Sequence, residues 1–311
     1  MMRTFLCFDI GGSKYNVGLL RQDGTILARQ KSLWHGHTQQ EMLAELFCAG
    51  HAVLAQCPGQ APCAAGATIP GLADAASGMW VEASFSGIRN VPIAHLLEQE
   101  FGLPAAIEND ARACALAERM FGAGKDVDDF FYVTVSNGIG GALFLNGALY
   151  TGALGNAGEI GHCTAVENGR PCGCGKRGCL EAHAAGPAIS KNYLELGGTP
   201  DEAGTPPAAK EIAARARAGE AAALRTFDLE GRLLGTALAQ AVNLLNPARV
   251  ILGGGVSLAY DLFGPKLEQT LGRNIYRKAS GNVDVIPTPL GYDGGLYAAA
   301  ALAILQTEKE G

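Results

Sequence analysis

The chain has 311 residues, a formal net charge of −6 and a hydrophobic content of 48%. This length accommodates two domains of ordinary size, and the composition supports packed cores rather than a largely disordered chain. The acidic balance and the lack of a long basic run argue against nucleic acid as a partner. The sequence shows neither a signal peptide nor a membrane-spanning run. We therefore expect a cytoplasmic protein without membrane partners and with mostly reduced cysteines.

The first predicted elements are a strand, a glycine turn and two further strands. The apolar run 4–8 leads into the turn DIGGSK at 9–14, and the strands 15–20 and 25–32 follow, joined by the hairpin signal Asp23-Gly24. A Rossmann or Walker phosphate loop would lead into a helix, whereas a strand follows these glycines. The turn therefore belongs to a different class of phosphate-binding fold or is a simple hairpin.

The same order of elements recurs later in the chain. A strand at 130–135 runs into the turn SNGIGG at 136–141, and the strands 142–145 and 148–151 follow, joined by Asn146-Gly147. Two such copies indicate an internally duplicated α/β protein. Either turn alone could be an ordinary tight hairpin, but the pair favours two nests of backbone N–H groups that hold a polyphosphate across a cleft.

The rest of the chain alternates helices and strands. Asn109-Asp110 follows the predicted strand 105–108, and either residue could begin the next helix. Asp110 is either a helix N-cap or a carboxylate at the ligand-binding end of that strand. Glycines 253–255 separate a strand from a helix and would let a nucleoside approach the backbone. The predicted helices cover 41–56, 91–101, 111–121, 181–196, 208–218, 221–245, 257–271 and 296–305, and the remaining strands cover 64–70, 105–108, 249–252 and 283–287.

The stretch 158–181, GEIGHCTAVENGRPCGCGKRGCLE, carries a dense set of potential metal ligands. Three cysteines and one histidine would complete the closed tetrahedron of a structural zinc site: His162, Cys172, Cys174 and Cys179. The alternatives are a glycine-rich loop with free thiols, or a disulfide with one spare thiol. A clustered Cys/His set in a chain expected to be cytoplasmic favours zinc.

Together these motifs resemble the ROK family of sugar kinases and related repressors, over nearly the whole chain. The resemblance is carried by DIGGSK at 9–14, SNGIGG at 136–141, GEIGH at 158–162, CGCGKRGCLE at 172–181 and LGGGVS at 252–257. It implies an α/β fold of duplicated ribonuclease-H-like, actin-like ATPase domains flanking a central cleft. A small domain would cover 1–117 and a large domain with the zinc site 118–292, while a last helix at 293–311 would pack back on the small domain.

The resemblance also implies ATP-dependent phosphorylation of a hexose hydroxyl, usually the 6-OH of glucose or a related hexose, by a homodimer that uses Mg²⁺ and structural zinc. Asp110 matches the family's catalytic base, and His162 would contact zinc through one ring nitrogen and the sugar through the other. The expected sugar-binding residues are Gly71, Asn109, Asp110, Glu159, His162 and Glu181. The expected residues for ATP and its Mg²⁺ are Asp9, Gly11, Gly12, Ser13, Lys14, Asn137, Gly138, Gly140, Gly254 and Gly255.

Two features depart from the family pattern. Asn137 stands where the second phosphate motif usually has threonine. Residues 82–90 read EASFSGIRN where the family often has an Asn-Leu pair, so a sugar contact is either missing or supplied by Ser84, Ser86 or Asn90. The alternative function is a non-catalytic sugar-binding or sugar-responsive regulatory protein. Only eight residues precede Asp9, so we expect no DNA-binding helix-turn-helix domain.

Overall fold

The computed structural model describes residues 2–83, 87–201, 204–281 and 283–309. The chain forms two compact units: the first comprises Met1–Asp126 and Tyr292–Gly311, and the second comprises Val127–Gly291. The expected division at residue 117 falls inside a helix, Asp110–Met120, which packs on the helix Gly294–Lys309 and lies whole within the first unit. Ser84 and Ser86, which we considered for a sugar contact, lie outside the described residues.

Strands and helices alternate along most of the described chain. The strands are β1 (Thr4–Ile10), β2 (Lys14–Arg21), β3 (Ile26–Leu33), β4 (Pro62–Ile69), β5 (Leu72–Asp74), β6 (Met79–Ala83), β7 (Ile88–Val91), β8 (Ala105–Asn109), β9 (Phe130–Val135), β10 (Ile139–Leu145), β11 (Ala148–Tyr150), β12 (Arg249–Gly253) and β13 (Asp284–Pro287). The helices are α1 (Gln39–Ala55), α2 (Ile93–Phe101), α3 (Asp110–Met120), α4 (Leu180–Ala184), α5 (Gly186–Glu195), α6 (Ala209–Arg217), α7 (Ala221–Leu245), α8 (Tyr260–Asn274), α9 (Arg277–Ser280) and α10 (Gly294–Lys309). None of the helices that the described residues form combines the length and the apolar character needed to cross a membrane.

The first unit is built around a five-stranded sheet in the order β3-β2-β1-β4-β8. β1, β2 and β3 pair in antiparallel fashion, whereas β4 and β8 run parallel to β1. In this register Asp9 pairs with Thr68, and Ile69 pairs with Asn109. Because parallel strands end at a common edge, Asp9, the loop that begins at Pro70, and Asn109 come together there.

Alternating side chains of β1 face two different layers. Leu6 and Phe8 join the core that α1 and α2 cover, while Phe5 and Cys7 join the core that α10 covers. This period of two is the side-chain periodicity of a strand, and it explains why β1 is apolar on both faces. Helices therefore cover both faces of the sheet, and the polar groups that could bind a ligand lie at its edge.

The second unit repeats this topology with the order β11-β10-β9-β12-β13. β9, β10 and β11 are antiparallel neighbours, and β12 and β13 run parallel to β9. The positions of the two glycine turns, between β1 and β2 and between β9 and β10, are equivalent in the two sheets. The predicted duplication of an α/β unit is thereby confirmed.

Two predicted helices differ in the structure, and one small sheet was not predicted. The predicted helix at 181–196 is two helices, α4 and α5, separated by Ala185 in extended conformation, because Pro187 is tolerated only in the first turn of a helix. The predicted helix at 257–271 begins as a 3₁₀ turn, Gly255–Ala259, before α8. The small antiparallel sheet of β5, β6 and β7 was not predicted.

Candidate functional site

The first glycine turn joins β1 to β2 and closes on itself. The N–H of Gly11 donates to the carbonyl of Lys14 at 2.9 Å, so this N–H is not available to a ligand, contrary to our expectation. The N–H groups of Gly12 and Ser13 have no acceptor among the described residues. Lys14 begins β2 and is exposed. Two adjacent N–H groups in a tight turn form a nest suited to an anionic oxygen.

Asp9 lies directly before this turn, at the edge of the sheet. Thr68 Oγ1 donates to its Oδ1 at 3.3 Å, and the start of α10 lies so close that a Cβ atom on Gly295 would be 2.2 Å from Asp9 Cγ. Burial, with the nearby charge of Asp110 as the second cause, raises the pKa of Asp9 to about 6. Two neighbouring carboxylates beside an N–H nest form a set of oxygen ligands that suits a hard divalent cation.

Asn109, rather than Asp110, is the N-cap of α3. Its Oδ1 accepts from the N–H groups of Ala111 and Arg112 at 3.1 and 3.4 Å, and its Nδ2 donates to the carbonyl of Gly71 at 3.0 Å. Asp110 is the first residue of α3 and is half-buried. The interpretation of Asp110 as the N-cap residue is therefore wrong, although its Oδ1 also accepts from the N–H of Ala111 at 2.8 Å. Its carboxylate is at the end of β8.

Gly71 follows β4 and is shaped for this contact. Its φ is +84°, and a Cβ atom there would lie 2.3 Å from the carbonyl oxygen of Glu82 in β6. A residue with a side chain would be strained at this position and would push β6 away. The Gly71 carbonyl is thus fixed against Asn109, which leaves one amide hydrogen of Asn109 free to donate.

Sequence reasoning missed three supports of this edge. Glu108 and Arg112 form a buried ion pair at 2.7 Å that ties the end of β8 to the first turn of α3. The indole N–H of Trp34 donates to the carbonyl of Gly11 at 2.9 Å, and that of Trp80 donates to the carbonyl of Pro70 at 3.0 Å. The four-residue spacing of Glu108 and Arg112 could have predicted their ion pair. No sequence pattern indicates the tryptophan contacts, because they join separate parts of the sequence.

The second glycine turn, between β9 and β10, is held by a carboxylate. The N–H of Ser136 donates to the carbonyl of Gly138 at 2.8 Å, and the N–H of Ile139 donates to Glu181 Oε2 at 3.0 Å. The N–H groups of Asn137 and Gly138 have no acceptor within the described ranges. Gly140 lies inside β10, paired with Thr134, so it is a strand residue and not part of the nest we expected.

Four residues predicted as metal ligands converge in the second unit. One ligand atom from each of His162, Cys172, Cys174 and Cys179 lies within 4.8 Å of the others. His162 Nδ1 is 3.7 Å from Cys172 Sγ, and the Cys174 and Cys179 sulfurs are 3.6 Å apart. A disulfide needs a sulfur–sulfur distance of about 2.05 Å, so this pair is not bridged.

These distances fit a tetrahedral ion. Ligand atoms about 2.3 Å (sulfur) and about 2.0 Å (nitrogen) from a zinc ion would be separated by about 3.5–3.8 Å. Burial raises the pKa of the Cys179 thiol, and its neighbouring thiols raise it further. Three thiols so close together cannot all ionise unless a cation is present, and the donor set is the one that zinc prefers.

Several polar side chains lie around the cluster. With His162 Nδ1 directed at the thiols, Nε2 lies 4.0 Å from Glu159 Oε2. Lys176 Nζ donates to the carbonyl of His162 at 2.8 Å. A further histidine, His183, accepts from the N–H of Arg170 at 2.9 Å, and burial lowers its pKa, so a neutral ring braces the loop. His183 was not predicted.

A cavity of about 270 Å³ lies beside the second turn. It is lined by Asn137, Cys172 and Glu181 and by two cationic residues, Arg170 and Lys191.

After β12, a Cβ atom on Gly255 would meet no atom within 4 Å, whereas one on Gly254 would lie 2.3 Å from the carbonyl of Val135. Gly255 therefore faces open space, and Gly254 serves the close packing of the loop on β9.

The expected sugar-binding residues are divided between the two units. Gly71, Asn109 and Asp110 belong to the first unit, and the remaining three belong to the second: Glu159, His162 and Glu181. Each unit thus combines one glycine turn with its own set of polar side chains.

Comparison with known proteins places these motifs in context. The family model described as "ROK family" matches residues 5–306. A glucokinase of Thermotoga maritima is 33% identical over 94% of this chain and 95% of its own length. The structure of a ROK family glucokinase from Streptomyces griseus in complex with glucose and AMPPNP superposes with a TM-score of 0.86 at 29% identity, covering 97% of this chain and 99% of that one. The DNA-binding transcriptional dual regulator NagC of Escherichia coli is 32% identical over 75% of this chain and 58% of its own length.

Proposed function

The chain belongs to the ROK family, and we propose that it is an ATP-dependent hexose kinase in which Asp110 is the general base. The observation that carries the proposal is the arrangement at the edge of the first sheet. Asp110 is at the end of β8, where its Oδ1 accepts from the N–H of Ala111 at 2.8 Å. It lies near Asp9, which adjoins the N–H nest of Gly12 and Ser13. A base candidate, a metal-binding carboxylate and a phosphate nest are the parts that phosphoryl transfer requires.

The chemistry assigned to these residues is mainly positioning. The sugar hydroxyl oxygen forms a bond to the γ-phosphorus while the bond from that phosphorus to the bridging oxygen of ADP breaks. Asp110 accepts the hydroxyl proton. Asp9 would hold Mg²⁺ through water, and the ion would neutralise phosphate charge. Gly12 and Ser13 bind phosphate oxygens through their N–H groups, as do Asn137 and Gly138 in the second unit.

The sugar hydroxyls are assigned to polar groups that the structure holds in place. Asn109 donates its remaining amide hydrogen, and Glu159 and Glu181 accept from vicinal hydroxyls. His162 donates or accepts through Nε2, which faces away from the thiols. Zinc would be held by His162 Nδ1 and the three cysteines. It supplies charge neutralisation and rigidity to the loop and takes no part in the transfer itself.

Glucose is the proposed sugar. The support comes from the glucokinase of Thermotoga maritima and from the glucose-bound glucokinase of Streptomyces griseus, each of which covers almost the whole chain. The similarity to NagC of Escherichia coli, whose relatives are named N-acetylglucosamine repressors, makes an N-acetylhexosamine the competing substrate class. The active assembly is proposed to be a homodimer, which sedimentation analysis would test.

The deciding experiment is a coupled assay of ADP release from Mg-ATP with a panel of hexoses and N-acetylhexosamines. The expected result is turnover with glucose well above that with the other sugars. Turnover with an N-acetylhexosamine alone would change the substrate and keep the reaction. If zinc-containing protein binds a sugar in calorimetry but turns over none, the non-catalytic sugar-responsive alternative replaces the kinase.

A further inference from the structure

Trp34 contacts the first glycine turn at two points and the following strand β2 at a third. It lies directly after β3, and its indole N–H donates to the carbonyl of Gly11 at 2.9 Å. Its backbone N–H donates to the carbonyl of Ser13 at 3.4 Å, and its ring packs on Tyr15 with the centroids 4.6 Å apart. The side chain is half-buried, so it lies between the core of the first unit and the turn.

The hydrogen bonds of the turn engage three of its carbonyl groups and leave two of its N–H groups without an acceptor among the described residues. The carbonyls of Gly11 and Ser13 accept from Trp34, and that of Lys14 accepts from Gly11. Carbonyl oxygens carry partial negative charge and would repel a phosphate if the turn presented them to it. Three of the four carbonyls of the turn are thus engaged, the exception among the described residues being that of Gly12. The N–H groups of Gly12 and Ser13 have no acceptor there and are left for an anion.

We propose that Trp34 is a positioning residue that holds the turn Gly11-Gly12-Ser13-Lys14 in its phosphate-binding conformation. The inference rests on the proposed function, because it assigns the turn to the phosphates of the nucleotide. Trp34 need not contact the nucleotide. It acts through the Gly11 carbonyl, whose orientation sets the direction of the N–H group of the next residue, since both belong to one planar peptide.

Trp80 provides a matched control within the same unit. It is the other tryptophan of the chain, and its indole N–H makes an equivalent bond, to the carbonyl of Pro70 at 3.0 Å. That bond supports the loop at Gly71, which is assigned to the sugar. Replacing each tryptophan by phenylalanine removes one indole N–H and keeps an aromatic ring, so the two variants differ in the loop they loosen.

The test compares Trp34→Phe, Trp80→Phe and the unchanged protein. For Trp34→Phe we expect the dissociation constant of Mg-AMPPNP and the KM for ATP to rise about fivefold, the value of one net hydrogen bond, with the KM for sugar within about twofold. For Trp80→Phe we expect nucleotide affinity to stay within about twofold of the unchanged protein. In the Trp80→Phe protein Trp34 is the single tryptophan. Its emission, excited at a wavelength that tyrosine does not absorb, should respond to Mg-AMPPNP and to tripolyphosphate but not to sugar alone.

Two results would overturn the inference. One is a Trp34→Phe protein whose nucleotide affinity is unchanged, or whose nucleotide and sugar affinities fall equally. The other is emission of Trp34, in the Trp80→Phe protein, that ignores nucleotide at saturating concentration. This second readout leaves Trp34 in place and so holds even if Trp34→Phe does not fold.

The design also separates this inference from the kinase proposal. An unchanged protein that binds Mg-AMPPNP but phosphorylates no sugar ends the kinase proposal, while the ratio of nucleotide affinities between Trp34→Phe and the unchanged protein still decides the role of Trp34. An unchanged protein that binds no nucleotide overturns both.

Discussion

The two glycine turns occupy equivalent places in two sheets of the same topology, yet they are supported differently. The first turn is held by the neutral indole of Trp34, 23 residues away, and the second by the carboxylate of Glu181, 42 residues away. A hydrogen bond to a charged group contributes about 1.5–3 kcal/mol, against about 0.5–1.5 kcal/mol for a neutral pair. The two turns therefore share their position in the sheet but not the means of holding them.

The difference also determines what each turn depends on. Glu181, which accepts from the N–H of Ile139 in the second turn, follows Cys179 by two residues in the sequence. The second turn is therefore linked through Glu181 to the Cys/His cluster. Trp34 belongs to the loop between β3 and α1 and depends only on the first unit. A change in the cluster should therefore disturb the second turn and leave the first turn intact.

The largest expected effect tests where the base lies. Asp110→Asn should lower turnover by about 10²–10⁴-fold, because the amide cannot accept the hydroxyl proton, while sugar affinity stays within about tenfold. The coupled ADP assay gives kcat, and calorimetry gives the sugar affinity. The control is Asp23→Asn, an exposed residue of the β2–β3 hairpin, which should leave both unchanged. Near-normal turnover of Asp110→Asn would show that Asp110 is not the general base.

The next effect separates the two turns through the cluster. Cys174→Ala should lose its zinc and weaken sugar binding by about 10- to 100-fold, since the ion orients His162 and the loop leading to Glu181. Cys163→Ser is the matched control, because Cys163 is exposed, adjoins His162 and lies outside the cluster. Metal analysis and calorimetry measure the two effects. Full sugar affinity in zinc-free protein would show that the cluster is unrelated to the substrate.

A smaller effect tests the support of the second turn itself. Glu181→Gln keeps an acceptor for the N–H of Ile139 but loses the charge, so both nucleotide and sugar should bind about tenfold more weakly. Glu159→Gln should weaken only the sugar, because no hydrogen bond within the described residues ties Glu159 to the turn through its side chain. If the two variants lose nucleotide affinity equally, or neither does, Glu181 does not hold the turn.

The last prediction concerns the stability of the second unit. Glu230 is fully buried in α7, and both its carboxylate oxygens are without a hydrogen-bond partner among the described residues. Burial raises its pKa well above the ordinary value, so above about pH 4.5 the folded protein keeps a proton that the unfolded chain releases. Stability should therefore fall as the pH rises from this value toward the folded pKa.

Glu230→Met removes this proton linkage. The expected gain in the free energy of unfolding is about 1–3 kcal/mol near pH 8 and less near pH 4, measured by denaturation across pH. Asp228→Asn, on the same helix and largely exposed, should stay within about 0.5 kcal/mol. A gain that is equal at all pH values would mean that Glu230 is ionised in the folded protein or that packing alone is responsible.

The sequence alone determined the features that rest on short stretches of chain. The strand–turn–strand order at both glycine turns, the duplication, the closeness of the cysteines and the helix that follows Asn109 all follow from local turn chemistry and hydrophobic period. The break at Ala185 was in principle readable from Pro187, whereas the sheet of β5 to β7 consists of short strands that carry little periodic signal.

Only the tertiary structure decided how the turns are held. The bonds from Trp34 to Gly11, from Trp80 to Pro70 and from Ile139 to Glu181, and the approach of Gly295 to Asp9, join segments whose separation in sequence carries no pattern. Such contacts depend on strand order, register and helix packing, which are set by burial of the whole core. A motif can thus place a phosphate nest in the sequence, but the packed fold decides which of its groups are free to bind.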